Sequence, residues 1–283
     1  MPVPSVRLPG VLEGWESMSA AQRDAAYNNT AAVPEAAALR AARAAASVVT
    51  RGRRDAVLDL PYGPGPRHRI DLFPAVDPAA PCLVFVHGGY WQMNSKEGFA
   101  CLGDGVRAHG WATALPGYTL APDATLAQIV AEVDAALSGL AREGPAHGIA
   151  GPLVVAGWSA GGHLAALALR HERAVAGLAI SGLFELEPLR DTYLNQRLLL
   201  SPAEIADLSP LRLPVLPKPL AIAYGTAELP ALVDNSRAFH AYRARHGAPG
   251  VLLSVEGCNH FSILDELQQP TGVLTRELLR QGA

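Results

Sequence analysis

Ser159 lies in Gly157-Trp158-Ser159-Ala160-Gly161, directly after an apolar run over 152–156 and directly before another over 163–169. Strand, G-x-S-x-G turn and helix in that order form a sharp bend that lifts a serine hydroxyl clear of a sheet, with the glycines leaving room for the bend. A serine hydroxyl is a poor nucleophile at neutral pH. It needs a base to take its proton and an acid to hold that base in the right tautomer.

Nine histidines compete for the base. His163 falls one turn after Ser159 on the same predicted helix and points away from the bend, so it is expected to pack. His171, His240 and His246 sit on amphipathic helical stretches, and His68, His109 and His147 in loops or near helix ends. His260 follows the apolar run 251–255 and Gly257 and precedes Phe261-Ser262, where a helix begins. A loop histidine after the last strand is the expected base. The acid should follow the preceding strand. That run, 220–224, leads into Gly225-Thr226-Ala227-Glu228, and Glu228 is the expected partner of His260. Asp234 is its rival, but it belongs to the helical stretch 231–242, which would carry it away from the site.

Acyl transfer also requires N–H donors aimed at the tetrahedral oxyanion, worth about 3 kcal/mol each. The amide of Ala160 is one candidate. Gly88 and Gly89, in Cys82-Leu-Val-Phe-Val-His-Gly-Gly-Tyr-Trp91, supply the others, with His87 tying their loop down. Tyr90 and Trp91 follow directly and are expected to form an aromatic wall for a flat ligand. Trp158, Phe184 and Tyr193 complete the expected substrate contacts.

These residues need a scaffold. Runs of strand length at Cys82–Val86, 111–115, 153–156, Ala174–Ile180, 220–224 and 251–255 alternate with helical spacing, as over 128–140 and 160–169. That rhythm predicts the α/β class, with a mostly parallel central sheet covered by helices on both faces. Residues 57–60 and 69–73 flank a Pro/Gly turn and read as an early antiparallel hairpin. Residues 1–55 read as a helical arm, with a capping box at Ser19-Ala-Ala-Gln22 and a second, Ala-rich helix from Pro34 to about Ser47. Residues 183–218 interrupt the rhythm and are the candidate lid. With no repeat or linker, residues 1–283 read as one domain.

Composition narrows the function. A chain of 283 residues with 49% hydrophobic and 17% charged side chains suits a well-packed core. A net charge of −3 gives no reason to invoke nucleic acid or anionic lipid. Three cysteines (Cys82, Cys101, Cys258) without C-x-x-C spacing argue against a disulfide framework or a zinc site. No segment has the length and hydropathy of a membrane span, and residues 1–10 lack a signal pattern. A cytoplasmic enzyme without cofactor or metal is the expectation, with the oligomeric state left open and a homodimer one option.

The runs Phe85-Val-His-Gly-Gly-Tyr-Trp91, Gly117-Tyr-Thr-Leu-Ala-Pro122 and Gly157-Trp-Ser-Ala-Gly-Gly-His163 resemble the kynurenine formamidase (arylformamidase) branch of the α/β-hydrolases. The resemblance extends over nearly the whole chain, including Ser181 to Pro188 and Glu228 to Ser236. It implies the α/β-hydrolase fold, with nucleophile, acid and base where Ser159, Glu228 and His260 stand. Many members carry Asp as the acid, so Glu228 is a modest departure. The implied activity is hydrolysis of N-formyl-L-kynurenine to kynurenine and formate. A carboxylesterase for small aryl or alkyl esters is the alternative, and a non-catalytic binding protein on the same scaffold is the third reading.

Overall fold

The computed structural model describes residue 11 and residues 14–282. The leader reading of residues 1–10 and the very start of the expected arm lie outside the described residues. The arm comprises α1 (Ala20–Ala26), α2 (Asn29–Ala32) and α3 (Ala36–Arg51). Ser19 and Gln22 form the expected capping box, each side chain bonding the other's backbone N–H.

A hairpin of β1 (Val57–Pro61) and β2 (Arg69–Phe73) follows, then β3 (Cys82–Val86), a long 3-10 segment (Lys96–Gly103), α4 (Asp104–Arg107) and β4 (Ala112–Pro116). Next come α5 (Leu126–Glu143), β5 (Leu153–Trp158), α6 (Ala160–Ala168) and β6 (Ala174–Ile180). The insertion over 183–218 holds only short helices, α7 (Asn195–Leu198) and α8 (Pro202–Leu208) with 3-10 turns. The chain closes with β7 (Leu220–Gly225), α9 (Pro230–Arg245), β8 (Leu252–Val255), α10 (Asp265–Gln268) and α11 (Val273–Gln281).

The eight strands form one sheet in the order β1-β2-β4-β3-β5-β6-β7-β8. The pairs β1–β2 and β2–β4 are antiparallel, and every pair from β4 to β8 is parallel. Side-chain alternation splits the core between the two faces. In β5, Leu153 and Val155 pack with Ile129, Val133 and Leu164 on one face. Val154, Ala156 and Trp158 pack with Phe99, Leu264 and Leu274 on the other. Both faces are therefore covered by helices, which is why the central strands read as unbroken apolar runs.

The arm is fastened to this body by polar side chains. Ser47 Oγ accepts from Cys101 N–H, Thr50 Oγ1 donates to Asp104 Oδ2, and Arg43 donates to the Phe261 carbonyl at 2.7 Å. Asp71, fully buried on β2, takes Arg51 Nε at 2.8 Å and Lys96 Nζ at 2.6 Å. A buried carboxylate is tolerable only when paired in this way. The pairing locks α3 to the segment that follows Trp91.

Candidate active site

The bend between β5 and α6 places Ser159 at φ 57° and ψ −122°, a conformation that costs a non-glycine residue about 1–3 kcal/mol. The surroundings hold it there. Ser159 N–H donates to the Ile180 carbonyl at 2.8 Å, and its own carbonyl accepts from Gly162 N–H at 2.8 Å. The flanking glycines are required by contact: a Cβ on Gly157 would lie 2.0 Å from the Gly161 carbonyl, and one on Gly161 would lie 2.0 Å from the Val86 carbonyl. The turn is too tight for side chains on either side of the serine.

The loop after β7 delivers Glu228, whose carboxylate is completely buried. Its Oε2 lies 2.8 Å from His260 Nδ1. A carboxylate can only accept in this pair, so Nδ1 carries the proton and Nε2 is left with a free lone pair. The other oxygen, Oε1, accepts from Ser181 Oγ at 2.6 Å and from Gly225 N–H at 2.7 Å. His260 is held from behind as well, because Trp158 Nε1 donates to its carbonyl at 2.7 Å and the two rings lie 4.8 Å apart. Asp234 sits on α9, half-buried, with its carboxyl pushed up by desolvation. It is Glu228, and not Asp234, that the structure brings to His260.

Beyond β3 the chain turns across the elbow. Gly89, Tyr90 and Trp91 have φ of 119°, 49° and 58° in succession, which curls the loop tightly. The Gly88 carbonyl accepts from His87 Nδ1 at 2.9 Å and from Asn94 Nδ2 at 3.0 Å. Within one trans peptide the C=O and N–H point opposite ways, so fixing that carbonyl also fixes the direction of the Gly89 N–H. Among the described residues no loop or cap carbonyl takes up the N–H of Gly88, Gly89 or Ala160. Ala160 is the first residue of α6, where an N–H has no partner within the helix. His87 serves the loop rather than the chemistry. Its ring stacks on Tyr118 at 4.3 Å, and burial pushes its imidazole down to about 4.

Comparison with known proteins gives this geometry a family. Residues 70–177 match the BD-FAE family. The kynurenine formamidase of Danio rerio is 25% identical over 95% of this chain and 98% of its own length. A crystal structure from Silicibacter sp. TM1040, given provisionally as a thioesterase, superposes with a TM-score of 0.80 at 31% identity, covering 89% of this chain and 97% of that one. The chain is a kynurenine formamidase-like α/β-hydrolase. Esterase B of Lactobacillus rhamnosis shares the fold, with a TM-score of 0.68 at 18% identity over 90% of this chain and 95% of its own.

In this hydrolase Ser159 and His260 open onto one narrow cleft of about 40 Å³, walled by Gly89, Tyr90, Trp158 and Phe261. Met93 and Asn94 border it on the loop side. Asn29, Thr30 and Arg40 border it on the other. Three of the aromatic side chains expected at the substrate lie elsewhere. Trp91 is fully buried, edge-on to His163 at 5.1 Å. The positive φ values at consecutive residues turn Tyr90 to the cleft and Trp91 into the core. Phe184 is also fully buried, stacked on Phe239 at 4.3 Å, with its N–H held by Asn235 Oδ1. Tyr193 is partly exposed outside the cleft, its N–H bonded to Asp24 Oδ1 in the arm. His163 packs as expected: its Nε2 donates to the Leu208 carbonyl at 2.8 Å, and burial pushes it down to about 4.

The insertion does not border the cleft; the arm does. Asn29 Nδ2 donates to the Tyr90 hydroxyl, which in turn donates to the Tyr27 carbonyl at 2.5 Å. Residues of 183–218 instead tie the periphery together, with the Leu194 carbonyl accepting from Gln92 Nε2 and Arg197 donating to the Ala121 carbonyl. Sequence reading missed Asn29, Thr30, Arg40, Asn94 and Ser181. Ser181 had one usable signal, a lone serine directly at the end of β6, beside the strand that leads to Glu228. Among the described residues no cluster of His, Cys, Asp and Glu could hold a metal, and no helix is long and apolar enough to cross a membrane.

Proposed function

We propose that this hydrolase releases a small acyl group, formyl foremost, from an arylamine nitrogen by a serine mechanism, with N-formyl-L-kynurenine as the leading substrate. Ser159 Oγ attacks the formyl carbon while His260 Nε2 takes its proton, and Glu228 stabilises the imidazolium that forms. The N–H groups of Gly88, Gly89 and Ala160 hold the oxyanion. His260 returns the proton to the departing arylamine nitrogen. Water, activated by the same histidine, then attacks the formyl ester and releases formate.

The observation that carries this reading is His260, placed with its Nδ1 on Glu228 and on the wall of the cleft that Ser159 enters. The formyl preference draws on the comparisons. The Danio rerio relative, aligned over nearly its full length, acts on this class of substrate by name. Free, unpaired cysteines are consistent with the cytoplasm. The test is turnover of N-formyl-L-kynurenine by the wild-type chain and by Ser159→Ala, with product formate measured directly.

The provisional thioesterase description of the Silicibacter structure, at 31% identity, favours one second reading, a carboxylesterase-type enzyme for small activated esters with the same machinery. Formyl, acetyl and butyryl derivatives of one aryl leaving group separate the two. An esterase must open space for the longer chains, whereas a formamidase loses rate steeply beyond formyl.

A further inference from the structure

Arg40 is exposed on α3 and borders the cleft that contains Ser159 and His260. Its helix neighbours are committed elsewhere: Arg43 to Asp265 and the Phe261 carbonyl, Arg51 to Asp71. Among the described residues Arg40 pairs with no carboxylate. Among the described residues no Asp or Glu borders the cleft either, and of those that do its guanidinium alone carries a permanent charge. A planar fork of donors beside a reaction site, with no internal acceptor, is suited to a carboxylate brought by a ligand. A second observation lies on the same wall. Asn29 is 4% exposed, and its carbonyl oxygen has no hydrogen-bond partner among the described residues. The Asn29 amide nitrogen is spent on Tyr90, so the free atom is the acceptor. A buried acceptor without a donor is costly and marks a place where a ligand N–H would be welcome.

We propose that Arg40 is a specificity-determining residue that binds a carboxylate on the leaving group of the substrate, with Asn29 offering an acceptor to a neighbouring N–H. The substrate class is therefore an acylated arylamine carrying an α-amino acid tail, not a neutral aryl ester. This rests on the formamidase reading but fails independently of it. It also gives the arm a function: α2 and α3 supply the charge recognition that the sheet and its loops lack.

The test compares wild type with Arg40→Gln on N-formyl-L-kynurenine and on 2-formamidoacetophenone, the same aryl formamide without the amino acid tail. The expected result is a KM about tenfold higher for the tailed substrate in Arg40→Gln, with kcat changed less than about twofold. The untailed substrate should suffer far less, and Arg40→Lys should recover part of the loss. Raising salt should shrink the wild-type preference for the tailed substrate, as for any partly exposed charge pair. Equal losses on both substrates, or none on either, would overturn the assignment. If neither formamide is turned over, the formamidase reading fails, and Arg40 is then judged on 4-acetoxybenzoate against phenyl acetate by the same ratio. Equal effects of Arg40→Gln on that pair would overturn it as well.

Discussion

Ser181 Oγ donates a 2.6 Å hydrogen bond to Glu228 Oε1, while His260 Nδ1 occupies the opposite oxygen of the same carboxylate at 2.8 Å. Ser181 is held at φ 51° to make this contact, at the end of the strand that neighbours β7. The carboxylate is thus aimed by three donors, two of which share one oxygen with no role toward the histidine. Ser181→Ala removes one of them. Hydrogen bonds to charged groups are worth about 1.5–3 kcal/mol, part of which Gly225 N–H retains. We expect kcat/KM to fall roughly tenfold. The loss should fall on kcat rather than KM, because the carboxylate keeps its charge but loses a donor that aims it at His260. An unchanged kcat/KM, with only the unfolding midpoint lowered, would mean that Ser181 merely packs.

Glu228→Gln preserves the volume but offers His260 an amide in place of a carboxylate. We expect kcat to drop by about a hundredfold or more, since the imidazolium loses its counter-charge and the tautomer its enforcement. Asp234→Asn, remote from His260, should stay within about twofold. Reversal of these two results in a steady-state assay would transfer the acid to α9.

Trp91→Ala tests the inward direction of that ring. Truncating a fully buried tryptophan typically costs about 3–5 kcal/mol of stability, and here it also undercuts the turn that carries Gly88 and Gly89. Turnover of N-formyl-L-kynurenine and p-nitrophenyl acetate should therefore fall together, with a lower unfolding midpoint. A selective loss on the aryl formamide would return Trp91 to the substrate pocket.

The contrast between Trp91 and Tyr90 shows where a sequence stops being legible. The strands Cys82–Val86 and Ala174–Ile180 could be bounded in advance because burial on both faces makes them continuous apolar runs between breakers. Ser159 and Glu228 were legible because their spacing from strand-ending glycines is local. The facing of two adjacent aromatics was not, since it turns on positive φ at consecutive non-glycine residues, which only the surrounding contacts enforce. The cleft wall built by Asn29 and Arg40 is equally invisible. An alanine-rich arm has no pattern that says which part of the body it will cover, and its docking depends on partners such as Cys101, Asp104 and Phe261, far along the chain.

His87 and His163 are completely buried, and desolvation takes each from 6.5 down to about 4. The unfolded chain then binds more protons than the folded one between those values. The stability they contribute is fully present above pH 6.5 and is lost as pH falls toward 4, by up to ~3 kcal/mol for each residue. Urea unfolding midpoints should decline across that window. His163→Leu should make the decline shallower, even if its midpoint at neutral pH is lower. A flat wild-type profile between pH 6.5 and 4 would rule this out.

A serine mechanism directed at a formyl group on an arylamine has a decisive kinetic signature. It is kcat/KM for N-formyl-, N-acetyl- and N-butyryl-L-kynurenine, each with wild type and Ser159→Ala. We expect the formyl compound to be turned over fastest, with rate falling at least tenfold per step of acyl lengthening. Ser159→Ala should lose at least a thousandfold on formyl while remaining folded. Faster turnover of the butyryl compound, or formamide hydrolysis that survives Ser159→Ala, would contradict this mechanism.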